Sequence, residues 1–242
     1  MKKKLEQKPE LLRVYYKIGL LSLSFGVLGA RLWHIVTDFQ LYSHNFYAML
    51  ELRNGGLSIL GGVIGGVIGM VVSFFIFDEL KQKSFSEKRR LFFYLLDSLV
   101  FGLPVGQAIG RLGNYFNQEL YGSPTTGIVK IFIDTAHRLP GYEQFAYYHP
   151  LFLYEMTATG FFAVCLYILH KKKTSLLPKT GTGKLFVLYV LYYSTVRFFL
   201  DFLRIDEEDI SLGILGVNQV VLLLLIIAIL LLTSLKKKGK YV

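Results

Sequence analysis

Four polar residues stand close together at the end of one apolar stretch, in a block that runs from position 110 to 122. Arg111, Asn114, Asn117 and Glu119 fall within nine positions, and several glycines precede or interrupt them. Charge beside a long apolar run is costly and usually marks function. Small residues let a ligand or another helix approach the backbone. We therefore expect a polar pocket here. The alternative is an ordinary helix end, where Arg111 reaches toward water.

A second group consists of Arg197, Asp201 and Arg204. On a helix, the spacing i, i+4, i+7 puts all three side chains on one face. Two arginines that flank one carboxylate suit a phosphate, because the acid orients one guanidinium group while N–H donors remain for the anion. A purely structural ion pair that locks two helices is the alternative, and the two roles are compatible.

The pair His149-Pro150 precedes another apolar stretch, and Glu155 lies about one turn into it. Proline at a first helical turn predicts that a helix begins here. A histidine in this position is more often a hydrogen-bonded residue of the membrane interface than a catalyst. Glu155 needs a partner if it is buried, and we expect one of the arginines to supply it.

Pairs of glycines, among them Gly61 and Gly62, recur between positions 55 and 66. This spacing allows either a close helix crossing or a lipid headgroup that rests on backbone amides. Both interpretations stay open, and the second makes Gly61 and Gly62 candidate substrate-binding residues.

Long apolar stretches must position all of these residues. The chain of 242 residues is 53% hydrophobic and only 18% charged, whereas soluble domains are about a quarter charged. Six stretches approach the roughly 20 residues that cross a bilayer: 14–37, 54–78, 91–113, 149–170, 184–204 and 212–235. The sequence therefore predicts an all-α integral membrane protein with about six transmembrane helices, folded as a single transmembrane domain over 1–242.

The basic residues predict the orientation of these helices. Of the 27 Lys and Arg residues, six lie in 2–17, five in 81–90, five in 171–184 and four in 236–240. With six spans, these four segments fall on one side, and short basic segments stay in the cytoplasm. Both termini are then cytoplasmic and the polar groups face outward. The net charge of +10 follows from this topology, with some affinity for anionic membrane lipids, so we do not expect a nucleic-acid partner.

The loop 123–148 is the only long polar connection. Residues 128–134 alternate partly as a β-strand does, and Pro140-Gly141 is typical of a turn. We expect a small extracytoplasmic lobe or arm over the pocket, which could dock a polypeptide substrate.

Taken in order, these motifs resemble the phosphatidylglycerol–prolipoprotein diacylglyceryl transferase family of bacteria. The block at 110–122 is a close match to the signature of that family and is the most specific element. The resemblance covers about 26–226, and its supporting matches are 29–31, 55–66, Asp97, 149–155 and 197–204.

The resemblance implies a multi-pass enzyme of the bacterial cytoplasmic membrane. It would transfer the diacylglyceryl group of phosphatidylglycerol to the lipobox cysteine of a preprolipoprotein and release glycerol phosphate. The catalytic positions carried over by motif are Arg111, Asn114, Glu119, Arg197 and Asp201, and the family has glutamate at the last. Further candidates for substrate binding, besides Arg111 and the two glycines above, are Gly122, His149 and Arg204. The chemistry requires no metal or cofactor, and the single cysteine, Cys165, gives no metal-binding pattern.

Two departures from the family pattern favour alternatives. Leu60 stands where many members have a histidine, and the usual first membrane span, with its tyrosine, is expected to be missing in this short form. A lipid-binding relative with altered or lost activity is therefore a second hypothesis, and a small transporter is a third. The polar residues cluster at one end and form no relay across the membrane, which disfavours transport.

The base that takes the thiol proton is the least determined residue. Asp201 lies between two arginines, which makes it a weak proton acceptor. Glu119 has no basic residue among its sequence neighbours, and we expect it to be partly desolvated. The hypothesis is that Glu119 acts as the base, with His149 as the second candidate.

Overall fold

The structure is a computed structural model that describes residues 9–37, 39, 42, 43, 46–51, 56–205, 211, 212 and 215–238. These residues form eight α-helices: α1 Pro9–Thr37, α2 Ile59–Ile76, α3 Asp78–Lys81, α4 Phe85–Leu99, α5 Leu103–Asn117, α6 Leu151–Lys171, α7 Lys184–Leu200 and α8 Val217–Lys238. Two short hairpins accompany them: β1 Ile131–Phe132 with β2 Tyr147–Tyr148, and β3 Ser211–Leu212 with β4 Leu215–Gly216. The chain divides into two compact units, 1–92 and 93–242. The single transmembrane domain stays a prediction.

Three helical stretches are long and apolar enough to cross a membrane: Arg13–Thr37, Leu151–Lys171 and Lys184–Leu203. A bent pair, α4 with α5, makes a fourth if it is counted as one span. The remaining apolar helices, Gly61–Ile76 and Asn218–Ser234, are shorter. The described residues therefore contain three or four candidate spans, and the predicted count of six exceeds what helix length alone supports.

The third predicted span, 91–113, is not one straight helix. The chain bends by 43° between α4 and α5. Pro104 stands in the first turn of α5, where it lacks an N–H for the preceding turn and its ring excludes a continuous helix. Gly102 precedes it without a side chain that could stabilise the junction.

In the first unit, α1 and α2 cross through glycines. A Cβ atom built on Gly29 would lie 2.5 Å from the carbonyl oxygen of Gly61, and one on Gly26 would lie 3.3 Å from that of Gly62. The backbones therefore approach as closely as only glycine allows. This contact supports helix packing as the role of the glycine pairs.

Arg31 fixes the loop that follows α1. Its side chain is only 7% exposed, and it stacks over the ring of Tyr42 at 5.1 Å from the centroid. The guanidinium group donates to backbone carbonyl oxygens of Ala48, Met49 (2.9 Å), Glu51 (3.3 Å) and Gly56 (2.9 Å). This buried arginine therefore stabilises the loop by binding its backbone carbonyl groups.

In the second unit, Asp97 of α4 anchors the start of α7. The side chain is fully buried. Its Oδ2 accepts the backbone N–H groups of Gly181 (2.8 Å), Thr182 (3.1 Å) and Gly183 (3.0 Å), and Oδ1 accepts that of Phe186 (3.1 Å). A carboxylate at a helix N-terminus satisfies donors that the helix leaves unpaired and complements its dipole.

The lobe predicted at 123–148 has a small core of its own. Tyr121, Ile133 and Tyr148 are buried together there, and β1 pairs antiparallel with β2. The strand is shorter than the alternation at 128–134 suggested, because only Ile131 and Phe132 join the ladder. The turn at Pro140-Gly141 is present, and Gly141 has φ of +85°.

Candidate active site

Glu155 lies at the centre of the candidate site. The second turn of α6 places its carboxylate, which is 3% exposed, beside Arg111 of α5 and Arg197 in the last turn of α7. Oε1 pairs with Arg111 Nη2 at 2.5 Å and Oε2 with Arg197 Nη1 at 3.3 Å. The expectation that a buried Glu155 would be paired with an arginine is confirmed, and it is paired with two.

A turn after α7 completes the second charge group. The helix ends at Leu200 and a 3-10 turn, Asp201–Leu203, follows. Asp201 Oδ1 lies 2.8 Å from Arg197 Nη2 and 3.7 Å from Arg204 Nη1. The predicted acid between two arginines is therefore present, but a single helix face is not the reason. Arg204 has extended backbone, because it bridges to Gly122, and an α-helix could not provide that pairing.

The signature block ends α5 in a strained turn that carries Glu119. Gln118 and Leu120 both have φ of +53°, a conformation that costs a non-glycine residue of order 1–3 kcal/mol. Glu119 Oε1 accepts from Asn114 Nδ2 at 2.9 Å and from Asn117 Nδ2 at 3.1 Å. Asn114 Oδ1 in turn accepts from Arg111 Nη1 at 3.0 Å. The turn thus links Glu119 to the buried ion pairs.

Glu119 is exposed, and the expectation of a partly desolvated carboxylate is wrong. The cause is that α5 ends at Asn117, so the turn carries the side chain to its outer surface. Its amide partners are neutral, and no basic side chain among the described residues forms an ion pair with it.

The charged residues line a small cleft, whose enclosed space of about 10 Å³ holds about one water molecule. Its lining residues are Arg111, Leu120, Leu151, Phe152, Glu155, Arg197 and Arg204. Among the described residues, the three guanidinium groups and the carboxylates of Glu155 and Asp201 leave one positive charge. This charge favours a small anion in contact with the lining arginines.

Donors remain on the two central arginines. A guanidinium group has five N–H donors, and contacts to the described residues use two on Arg111 and two on Arg197. The geometry can therefore hold both arginines in fixed positions while each presents N–H groups to a phosphate.

His149 and Gly122 lie at the base of the lobe. Gly122 N–H donates to the His149 carbonyl at 2.8 Å, and a Cβ on Gly122 would meet the Leu203 carbonyl at 2.7 Å. The imidazole Nδ1 lies 3.1 Å from the hydroxyl of Tyr154. His149 is not among the residues that line the cleft. Gly122 acts by allowing two segments to meet.

Comparison with known proteins identifies the family to which this arrangement belongs. A family model described as prolipoprotein diacylglyceryl transferase matches residues 1–235. The chain belongs to the prolipoprotein diacylglyceryl transferase family.

Relatives named phosphatidylglycerol–prolipoprotein diacylglyceryl transferase agree. A protein of Cutibacterium acnes is 36% identical over 195 residues, 79% of this chain and 60% of the relative. One of Fervidobacterium nodosum is 34% identical over 182 residues, 75% and 57% of the two chains. One of Clostridium botulinum strain Langeland is 34% identical over 212 residues, which are 86% of this chain and 74% of the relative. The chain thus spans about three fifths of the first two relatives.

Within this transferase family fold, Tyr193 is a site residue that the sequence analysis missed. Its hydroxyl donates to Glu155 Oε1 at 2.9 Å. Tyr193 lies four positions before Arg197, so helical spacing could have placed it on the same face. The candidate residues Gly61 and Gly62 belong to the first unit, and their substrate-binding role stays a prediction.

Proposed function

We propose that this protein transfers the diacylglyceryl group of phosphatidylglycerol to the lipobox cysteine of a preprolipoprotein and releases glycerol phosphate. The observation that carries the proposal is the placement of Arg111 and Arg197, both of which line the cleft, on one buried carboxylate. Membership of the family supports the choice of substrates.

In the reaction, the cysteine sulfur attacks the glycerol carbon that bears the phosphate ester. A C–S bond forms, the C–O bond to the phosphate breaks, and the electron pair leaves with glycerol phosphate. The thiol proton passes to a base. Charge grows on the leaving phosphate, and donors held in advance stabilise that charge most where water is excluded. Arg111 and Arg197 supply those donors, and Asn114 orients Arg111.

Glu119 remains the proposed base, although its exposure removes one reason for the assignment. A water-accessible carboxylate can still pass its proton to solvent, and the lipobox segment would cover it on binding. The pH–rate profile of Glu119→Gln separates the candidates. If Glu119→Gln retains most of its activity near neutral pH while His149→Gln loses activity, His149 takes the role of the base.

The proposed topology has six spans, cytoplasmic termini and an outward cleft in the bacterial cytoplasmic membrane. The clustering of 20 basic residues on one side supports it. The two shorter apolar helices would complete the count. Reporter fusions at positions 85, 175 and 242 should report the cytoplasm, and one at 135 the outside. An external signal at 175 would contradict the arrangement.

The enzymatic proposal is tested with purified protein, phosphatidylglycerol in mixed micelles and a fluorescent lipobox peptide. Wild-type protein should produce lipidated peptide and one equivalent of glycerol phosphate. A peptide with serine for cysteine should give neither product. Arg111→Ala should lose lipid transfer, and a cooperative unfolding transition should show that the variant is folded. Lipid binding without transfer by the wild type would instead favour a lipid-binding relative.

A further inference from the structure

One residue pair joins the lobe to Gln118, the first strained residue of the turn. Gln118 Nε2 donates to Asp134 Oδ2 at 2.6 Å, and the backbone N–H of Asp134 donates to Gln118 Oε1 at 2.6 Å. Both amide functions of one side chain are therefore used by one residue of the lobe, which fixes Gln118 in direction as well as distance. Asp134 is exposed and is not among the cleft residues.

The residues of the turn face two ways. Gln118 and Tyr121 contact the lobe: the Tyr121 hydroxyl donates to the His137 carbonyl at 2.8 Å and accepts from Leu139 N–H at 2.7 Å. Leu120 lines the cleft, and the exposed Glu119 binds Asn114 and Asn117 of α5. The turn therefore connects the lobe to α5 and to the cleft.

The left-handed backbone of the turn explains why contacts with the lobe are needed. Gln118 and Leu120 are both non-glycine residues at φ of +53°, a conformation that persists only when surrounding contacts hold it. The backbone bond from Glu119 N–H to the Asn114 carbonyl, at 3.0 Å, is one such contact. The two bonds from Gln118 to Asp134 come from outside the helix and the turn, as do the bonds of Tyr121 to the lobe.

We propose that Asp134 is a positioning residue, which acts through Gln118 to hold Glu119 and Asn114 where they serve the cleft. This inference rests on the proposed function for its kinetic consequence alone. Loss of the pair lets the turn relax toward ordinary backbone angles, and the Asn114–Glu119 contact loosens with it. The headgroup-binding arginines keep their partners, because Glu155 and Asp201 hold them independently of the turn.

Two variants weaken the pair to different extents. Asp134→Ala removes the acceptor of Gln118 Nε2, while the backbone N–H of residue 134 can still donate to Gln118 Oε1. Gln118→Gly removes both bonds of the pair and frees the backbone at position 118 to leave the turn, because glycine adopts positive and negative φ about equally readily. In both, kcat should fall about tenfold while KM for phosphatidylglycerol stays within about twofold, since small misplacement of groups costs rate rather than headgroup affinity. Gln118→Gly should not lower the unfolding midpoint. A loss of stability therefore cannot explain the lower kcat of this variant.

Conservative and matched variants complete the test. Asp134→Asn keeps an oxygen acceptor for Gln118 and should retain most of the activity. Glu143→Ala removes another exposed carboxylate of the lobe and should leave kcat unchanged. Wild-type kcat in Gln118→Gly, or equal losses in Asp134→Ala and Glu143→Ala, would overturn the proposal.

Hydrogen–deuterium exchange tests the same link without activity. Backbone amides of 118–122 should exchange at least about tenfold faster in Asp134→Ala and Gln118→Gly, because the contacts that protect them open more often. Glu143→Ala should match the wild type. Unchanged protection in the first two variants would refute the positioning role, whether or not the wild type transfers lipid. Failure of transfer with altered exchange would refute the proposed function alone.

Discussion

Glu155→Gln gives the sharpest test of the site, because it removes one charge and preserves shape. The side chain is 3% exposed and holds Arg111 at 2.5 Å, Arg197 at 3.3 Å and the Tyr193 hydroxyl at 2.9 Å. The glutamine can keep one acceptor, but its amide nitrogen would point a donor at a guanidinium group. Among the described residues, Asp201 would then be the remaining carboxylate paired with these arginines.

The magnitude follows from burial. Removing one partner of a buried ion pair costs about 3–5 kcal/mol. Arg111 and Arg197 are 16% and 20% exposed, and each keeps another partner, Asn114 at 3.0 Å and Asp201 at 2.8 Å. The expected loss therefore lies below that range, at about 2–3 kcal/mol in the free energy of unfolding. An equilibrium SDS titration in bicelles measures it.

The matched control is Glu119→Gln, an exposed carboxylate bound only by neutral amides among the described residues. Surface changes of this kind usually stay within about 0.5 kcal/mol. A loss below about 0.5 kcal/mol in Glu155→Gln, or equal losses in the two variants, would show that Glu155 does not hold the arginines as the structure indicates.

Three further predictions address other contacts. Arg111→Lys should lower kcat/KM at least about tenfold, because an ammonium group cannot hold Asn114, Glu155 and a phosphate in one plane; a change within twofold in the peptide assay would remove the requirement for a planar group. Asp97→Asn should cost at least about 2 kcal/mol in the SDS titration, since buried backbone N–H groups lose their acceptor, whereas Asp78→Asn, 88% exposed at its side chain, should change little. Burial raises the pKa of the Tyr148 hydroxyl, opposed by Arg138 and supported by Glu143. Tyrosine in the unfolded chain ionises first, at about pH 10. The contribution of Tyr148 to stability is therefore lost as the pH rises beyond that value. A spectroscopic titration of the wild type and of Tyr148→Phe should show that the wild type has one more phenol, which ionises above about pH 10.

The sequence predicted the charge groups of the site better than their backbone. Glu155 could be assigned an arginine partner because a buried carboxylate must have one. Spacing alone suggested that Asp201 contacts Arg197 and Arg204, and both contacts exist. Arg197 and Asp201 lie at the end of α7, and a 3-10 turn leads from Asp201 to Arg204. Contacts at i,i+3 and i,i+4 are possible in both kinds of helix, so the two ion pairs form without a continuous α-helix.

Features that depend on distant segments could not be read from the sequence. The positive φ angles of Gln118 and Leu120 carry no glycine signal, and only the lobe explains how Gln118 is held. The 43° bend before α5 did have a signal in Pro104, which a count of apolar residues ignores. Exposure of Glu119 depends on where α5 stops, and helix ends are the least certain part of any sequence interpretation.

The charge balance of the cleft suggests why two carboxylates accompany three arginines. On the proposed function, the bound phosphodiester carries one negative charge, which the single net positive charge of the cleft balances. The product is a phosphate monoester, with a charge of about −1.5 to −2 at pH 7. Three uncompensated arginines would hold that product more tightly than the substrate and slow its release. On the proposed function, Glu155 and Asp201 would therefore do more than orient the guanidinium groups, because they would also limit the affinity of the cleft for the anion it must release.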